Sequence, residues 1–210
     1  MDFDIKISTE LIDYEIALKI MQDRREKIIN GTAKSLLWLL EHNDVYTAGR
    51  NAKPDDLLDK TTKVIDVDRG GKFTYHGKGQ RICYIIADLR KFNNGELDIR
   101  KFINAIENTI IDTLQHFGIK SFADRDNIGI WVQNGAKKEK IASIGIKIGQ
   151  MVTTHGFALN VCTNLDKFSV IVPCGISDFG VCSMRSLGVD VEMDDIDKTL
   201  LLTIKQNLDL

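Results

Sequence analysis

Ile99, Phe102, Ile103, Ile106, Ile110, Leu114 and Phe117 recur at helical spacing up to Gly118, and a stripe of that width is stable only where something apolar covers it. Short apolar or β-branched runs between turn residues can supply the cover, at residues 34–41, 45–49, 64–68, 73–75 and 82–89. Two more helices are predicted. Residues 10–30 carry Leu11, Tyr14, Leu18, Met21 and Ile28 at helical spacing, with Thr9 as N-cap and Gly31 as the stop, and residues 197–208 align Leu200, Leu201, Ile204 and Leu208. Strands are expected at 128–133 and at 168–172, the latter ending at Pro173. A hairpin is expected in which 141–148 and 151–161 flank a type II′ turn at Gly149-Gln150. The sum is a mixed α/β (α+β) fold, a largely antiparallel sheet with flanking helices, forming a single domain over residues 1–210.

Composition excludes several function classes. The 28 Lys and Arg residues against 30 Asp and Glu give a net charge of −2, which argues against a dominant nucleic-acid or anionic-membrane surface. The longest apolar runs, 36–40 and 82–87, fall far short of the ~20 residues of a membrane span, and the acidic start Met1-Asp2-Phe3-Asp4 does not resemble a secretory leader. A cytoplasmic protein is expected, and a monomer, since no long heptad or apolar strip is visible. Cys83, Cys162, Cys174 and Cys182 match neither a zinc template nor a disulfide framework, so they read as reduced thiols with no metal.

Three segments break the ordinary pattern. Arg69-Gly70-Gly71-Lys72-Phe73-Thr74-Tyr75-His76-Gly77-Lys78-Gly79 lets backbone approach a ligand closely, although a glycine-rich hairpin loop with solvated charges fits equally well. In the hairpin, alternation puts Ala142, Ile144, Ile146 and Ile148 on one face and Ser143, Gly145 and Lys147 on the other. With Gly156 and Ala158 in the partner strand, Ser143 and Gly145 could make a shallow floor under an extended aliphatic chain. Lys140 shares parity with the apolar face, where it could carry a proton, but the charge run Lys137-Lys138-Glu139-Lys140 also reads as a solvated edge. Finally, Val172-Pro173-Cys174-Gly175-Ile176 would end a strand at an accessible thiol, the alternative being a buried cysteine acting as a small hydrophobe. A thiol needs a nearby base or cation to become a good nucleophile, and Lys140, His76 and His155 are the candidates.

Together the motifs Arg-Gly-Gly-x-x-Thr-Tyr-His-Gly (Arg69 to Gly77), Lys-Ile-Ala-x-Ile-Gly (Lys140 to Gly145), His-Gly-Phe-Ala-Leu-Asn (His155 to Asn160) and Pro-Cys-Gly-Ile (Pro173 to Ile176) resemble those of the octanoyltransferases of lipoate biosynthesis. The resemblance runs from about Tyr14 to Leu187 and implies a biotin/lipoate protein ligase-like fold. It implies transfer of an octanoyl group from octanoyl-acyl carrier protein to a lysine of a lipoyl-type carrier domain. The acceptors would be the lipoyl domains of 2-oxoacid dehydrogenase complexes and the glycine-cleavage carrier protein. Cys174 would be the nucleophile and Lys140 the residue that takes the thiol proton, with the acyl site lined by Arg69, Gly70, Gly71, Lys72, Phe73, Thr74, Tyr75, His76, Ser143, Ile144, Gly145, Gly156, Phe157 and Ala158. Backbone N–H groups near Gly77 or Gly145 would hold the oxyanion.

No nucleotide, metal or other cofactor is implied, because a thioester donor is already activated. An acidic carrier would dock on Lys72, Lys78 and Arg81. Lys78 departs from the family's usual proline, and Cys182-Ser183-Met184 from its common Thr-Ser-Leu. An ATP-dependent lipoate or biotin ligase would not need Cys174, and an inert carrier-binding module would need neither Cys174 nor Lys140.

Overall fold

A computed structural model of the chain describes residues 2–92, 96, 98–172 and 180–208. In chain order its elements are β1 (Phe3–Ile12), α1 (Tyr14–Ile29), β2 (Ser35–His42), β3 (Val45–Ala48), β4 (Val64–Asp66), β5 (Phe73–His76), β6 (Gln80–Ile86), α2 (Ile99–His116), β7 (Phe122–Ala123), β8 (Ile130–Asn134), β9 (Lys137–Gly149), β10 (Val152–Asn160), β11 (Gly180–Val181) and α3 (Met193–Asn207). The large sheet runs β1-β2-β6-β10-β9-β8-β7 with β11 attached to β9, and β4-β3-β5 make a small second sheet. In the large sheet β1 with β2 and β11 with β9 are parallel, and the other pairs are antiparallel.

Alternation sends Leu37, Leu39, Cys83, Ile85, Phe157 and Leu159 to the core face shared with α2 and α3, and Leu36, Trp38, Leu40, Ile82, Tyr84 and Ala158 to the face shared with α1. Phe102, Ile106, Ile110 and Leu114 of the predicted stripe are fully buried, each contributing roughly 1.5–3 kcal/mol. The last helix starts earlier than predicted and buries Ile196, Leu200, Ile204 and Leu208. Cys83, Cys162 and Cys182 are free thiols. Among the described residues no helix is long and apolar enough to cross a membrane.

Four local expectations are corrected. The helix expected from residue 10 starts at Tyr14, because the Asp13 carboxylate accepts from Glu15 and Ile16 N–H groups and caps it. Thr9 and Leu11 belong instead to the edge strand β1, where Lys6 lies over the Trp38 ring and Ser8 accepts from Trp38 Nε1 at 3.0 Å. The strand expected at 168–172 is a 3₁₀ turn over Leu165–Val170, started by the Asn164 side chain, with Ile171 making a single bridge to Leu57. Local capping here displaces a ladder, and Pro173 lies outside the described residues. The hairpin turn is centred on Gln150 (φ 52°) and Met151 (φ 64°), a type I′ rather than a type II′ geometry.

Arg81 does not face solvent. Its Nε lies 2.9 Å from Asp197 Oδ1, with the two side chains 4% and 6% exposed, so it pins α3 to β6 and is not available to dock a carrier. Burial pushes the Asp197 carboxyl up to about 6 against the pull of Arg81. Between its ordinary value of ~4 and that level, the folded state binds more protons than the unfolded one, so this group's contribution to stability falls as pH rises. Arg81→Met strands the carboxylate. It is expected to cost about 3–5 kcal/mol in urea melts at pH 8 and less at pH 5; equal losses at both would assign the stability elsewhere. Gly156→Ala tests strand packing, since its Cβ would sit 2.0 Å from the Cys83 carbonyl oxygen. A loss of about 1–3 kcal/mol is expected, and a neutral result would refute the close approach.

Candidate active site

A strand has a side-chain period of two, so one extra residue turns everything beyond it to the opposite face. Ile130 pairs with Ala142 but Trp131 pairs with Lys140, which leaves Ile141 as an extra residue in β9. Ile141 and Ala142 both enter the core under α2 and α3. Lys140, expected on the apolar face by strict parity, turns the other way and lines a cavity. It is only 3% exposed, its Nζ donates to the Ile128 carbonyl at 2.9 Å, and it lies 4.6 Å from the Trp131 ring centroid. The solvated-edge reading of this lysine does not hold.

The cavity has a volume of about 410 Å³. Arg69, Gly70, Gly71, Lys72, Phe73, Thr74 and His76 reach it from the glycine-rich turn, and Ser143, Ile144, Gly145, Gly156, Phe157 and Ala158 from β9 and β10. The floor expected from parity is present, with Ser143 opposite Ala158 and Gly145 opposite Gly156. Tyr75 is not in the lining. It turns into the core of the small sheet, and its hydroxyl donates to Asp44 Oδ1 at 2.7 Å. Gly77 also lies off the cavity, packed on Tyr75 and Asp44. Cys174 lies outside the described residues.

Sequence reasoning missed Tyr14, Tyr84, Ile99, Ile103 and Ile128 as wall residues. One signal was available: Ile99 begins the α2 stripe yet is 45% exposed, because the first turn of the helix overhangs the cavity rather than the core. Of the proposed carrier-docking residues, Lys78 is exposed, whereas Lys72 pairs with Asp56 at 3.5 Å.

A second backbone irregularity shapes the wall. His155 has φ 63°, an uncommon conformation for a side chain with a Cβ, and its ring lies 6.1 Å from that of Tyr84 with Nε2 3.6 Å from Asp68 Oδ1. Burial, reinforced by the Arg69 charge, pulls His155 down to about 4. Burial likewise holds His76 well below the usual imidazole range, with His42 and Arg69 adding to it. Both rings are therefore neutral near pH 7, and neither can supply a cation for a thiolate. Arg69 is buried and donates to Thr47 Oγ1 at 2.7 Å and to the Gly70 carbonyl at 2.9 Å. Its guanidinium buttresses the turn that carries the wall.

The chain matches the family model of the lipoyl protein ligase A/B catalytic domain over residues 13–205. An octanoyltransferase of Ehrlichia chaffeensis is 46% identical over 204 residues, covering 95% of this chain and 94% of that protein. Another, from Novosphingobium aromaticivorans, is 45% identical over 199 residues, covering 94% and 88%. Among solved structures, a chain of the bi-partite lipoate protein ligase system of Thermoplasma acidophilum has a TM-score of 0.73 at 16% identity, over 100% of this chain and 84% of that one. A lipoate-protein ligase A bound with ATP has a TM-score of 0.72 at 15% identity, over 98% and 86%. At such identities the likeness establishes the fold, which is the biotin/lipoate protein ligase-like arrangement expected. Matched over nearly its whole length, the chain belongs to the lipoyl protein ligase A/B catalytic-domain family and, within it, to the octanoyltransferases, which are acyltransferases.

Proposed function

We propose that this acyltransferase moves an octanoyl group from octanoyl-acyl carrier protein to a specific lysine of lipoyl-type carrier domains, through a thioester on Cys174. The acceptors would be the lipoyl domains of 2-oxoacid dehydrogenase complexes and the glycine-cleavage carrier protein. The whole chain would act in the cytoplasm as one catalytic domain and as a monomer. The observation that carries the reading is the convergence of the Arg69 to His76 turn, Ser143 to Gly145 and Gly156 to Ala158 on one cavity together with a buried lysine. Neutral histidines and small residues suit that cavity to an uncharged aliphatic chain.

In the first half-reaction Lys140 takes the thiol proton, and the Cys174 sulfur attacks the donor carbonyl. The carbonyl carbon's bond to the carrier sulfur breaks, and the proton leaves on the carrier thiol. In the second, the acceptor lysine nitrogen attacks the acyl-enzyme, an amide forms, and the Cys174 thiol is restored as Lys140 passes on the amine proton. Val181, which lines the cavity, pairs with Lys140 and follows the Cys174 segment in the chain, which supports a cysteine acting alongside this lysine.

Incubation with octanoyl-acyl carrier protein without nucleotide should add one octanoyl group, ~126 Da, labile to hydroxylamine and absent from Cys174→Ser. Lys140→Ala should slow its formation at least ~100-fold. An adduct that survives Cys174→Ser would sink the thioester route, and nucleotide-dependent use of free octanoate would replace it with a ligase reaction. A second measurement concerns the floor. Gly145→Ala brings a Cβ to 3.1 Å from Arg69 Cδ and 3.2 Å from the Gly70 carbonyl oxygen, so it should raise KM for the donor several-fold while the urea midpoint stays nearly fixed. Unchanged kinetics would remove Gly145 from the acyl site.

A further inference from the structure

Lys140 approaches a cavity wall built from one short stretch of chain. The Asp124 carboxylate accepts from the backbone N–H groups of Asp126 at 2.8 Å and Asn127 at 3.2 Å, and pairs with Lys138. The turn so closed presents two consecutive carbonyls to the two sides of one contact. That of Asn127 accepts from Trp131 Nε1 at 2.8 Å, and that of Ile128 accepts from Lys140 Nζ at 2.9 Å. Trp131 is 1% exposed, and the ammonium groups of Lys138 and Lys140 each lie 4.6 Å from its ring centroid. That is within the range where an aromatic ring attracts a cation. Gly129 completes the cradle: with φ 137°, its Cβ would fall 3.0 Å from Lys140 Cε and 2.7 Å from the Ala142 carbonyl oxygen.

We propose that Trp131 is a positioning residue for the acyl transfer, its indole acting as the platform that fixes the Lys140 ammonium in the cavity wall. The bulge at Ile141 turns the lysine to this face, the Asn127 carbonyl fixes the plane of the ring, and the ring with the Ile128 carbonyl fixes the nitrogen. Lys138, bound to Asp124 and lying over the same ring, ties the platform to the turn. The inference rests on the reading of Lys140 as the proton carrier. It adds that the aromatic ring, by holding the lysine in place, raises the rate the lysine supports.

The test uses the full chain with ¹³C-labelled lysine and the variants Trp131→Phe, Trp131→Leu and Lys140→Ala. In the wild type the Lys140 ε-methylene protons should resonate upfield of the other lysines, shifted by the indole ring current. The shift should shrink in Trp131→Phe and vanish in Trp131→Leu. Octanoyl transfer should lose roughly 10–30-fold in kcat in Trp131→Leu and about threefold in Trp131→Phe, with KM for octanoyl-acyl carrier protein nearly constant, as expected for losing a desolvated cation–π contact. If Trp131→Leu does not fold by thermal melting, the Trp131→Phe shift and kcat carry the comparison.

Wild-type kcat in the Trp131 variants beside a disabled Lys140→Ala would overturn the proposal and leave Lys140 as proton carrier. A fully active Lys140→Ala would overturn both. An ordinary ε-methylene shift in the wild type would refute the platform whatever the kinetics.

Discussion

A single register change between β8 and β9 governs both sides of the sheet. Ile141 is the added residue, and its effect is felt in two directions because neighbouring side chains in a strand alternate. Toward α2 and α3 it delivers Ile141 and Ala142 together, both essentially fully buried, where regular alternation would deliver one. Toward the cavity it delivers Lys140. Burying an ammonium without partners is costly, so the bulge can persist only where the opposite strand supplies acceptors and polarisable surface. β8 and the residues just before it do so through the Ile128 carbonyl and the Trp131 ring.

The partner strand carries a matching irregularity. A left-handed φ at His155 is strained for a non-glycine residue, and it is held by regular pairing on both sides, Thr154 with Lys147 and Gly156 with Gly145. It brings the imidazole beside Tyr84, on the face where Lys140 also lies. Two adjacent strands therefore each carry a backbone irregularity, and these bring Lys140 and His155 to a cavity whose floor is made by Ser143, Gly145, Gly156 and Ala158.

What the sequence revealed follows from which signals are local. The α2 stripe, the α3 stripe and the Ser143, Gly145, Gly156 and Ala158 floor all rest on a single periodicity, and each reappears in the fold. The bulge does not. Ala142 to Ile148 reads as unbroken alternation and Lys140 falls on the parity of its apolar face, so only the pairing with Trp131 shows where one residue is left over. Arg81 reads as a surface cation beside Lys78 because its counter-ion, Asp197, lies on a helix far along the chain. β1 escaped notice for a similar reason: its ladder is supplied by β2, and Ile5 and Ile7 remain about half exposed at the edge. Motif recognition brought together segments that meet at one cavity but took Tyr75 along with its neighbours, although the Tyr75 hydroxyl is drawn to Asp44, a residue outside the motif, and its ring packs in the core of the small sheet.

The polar groups behind the cavity wall have a fixed direction. A carbonyl only accepts, so His42 Nδ1 must donate to Ile12 at 2.7 Å, which leaves Nε2 to accept from the Tyr84 hydroxyl at 2.7 Å. The same logic applies to His76. Gln80 donates through Nε2 to Asn160 Oδ1 and to the Tyr75 carbonyl, so its Oε1 accepts from His76 Nδ1 at 2.7 Å. Asn160 in turn donates to the Cys182 carbonyl at 2.9 Å, tying this network to the residue that follows β11. His42 needs one protonated and one bare nitrogen to keep both bonds, and burial favours the neutral form of both rings. Protonating His42 would both charge a buried group and reverse its bond with Tyr84, and protonating His76 would place a buried charge beside Arg69. The network thus keeps these two rings neutral near pH 7 behind a wall whose buried cations are Arg69, which buttresses the glycine-rich turn, and Lys140, which the bulge turns into the cavity.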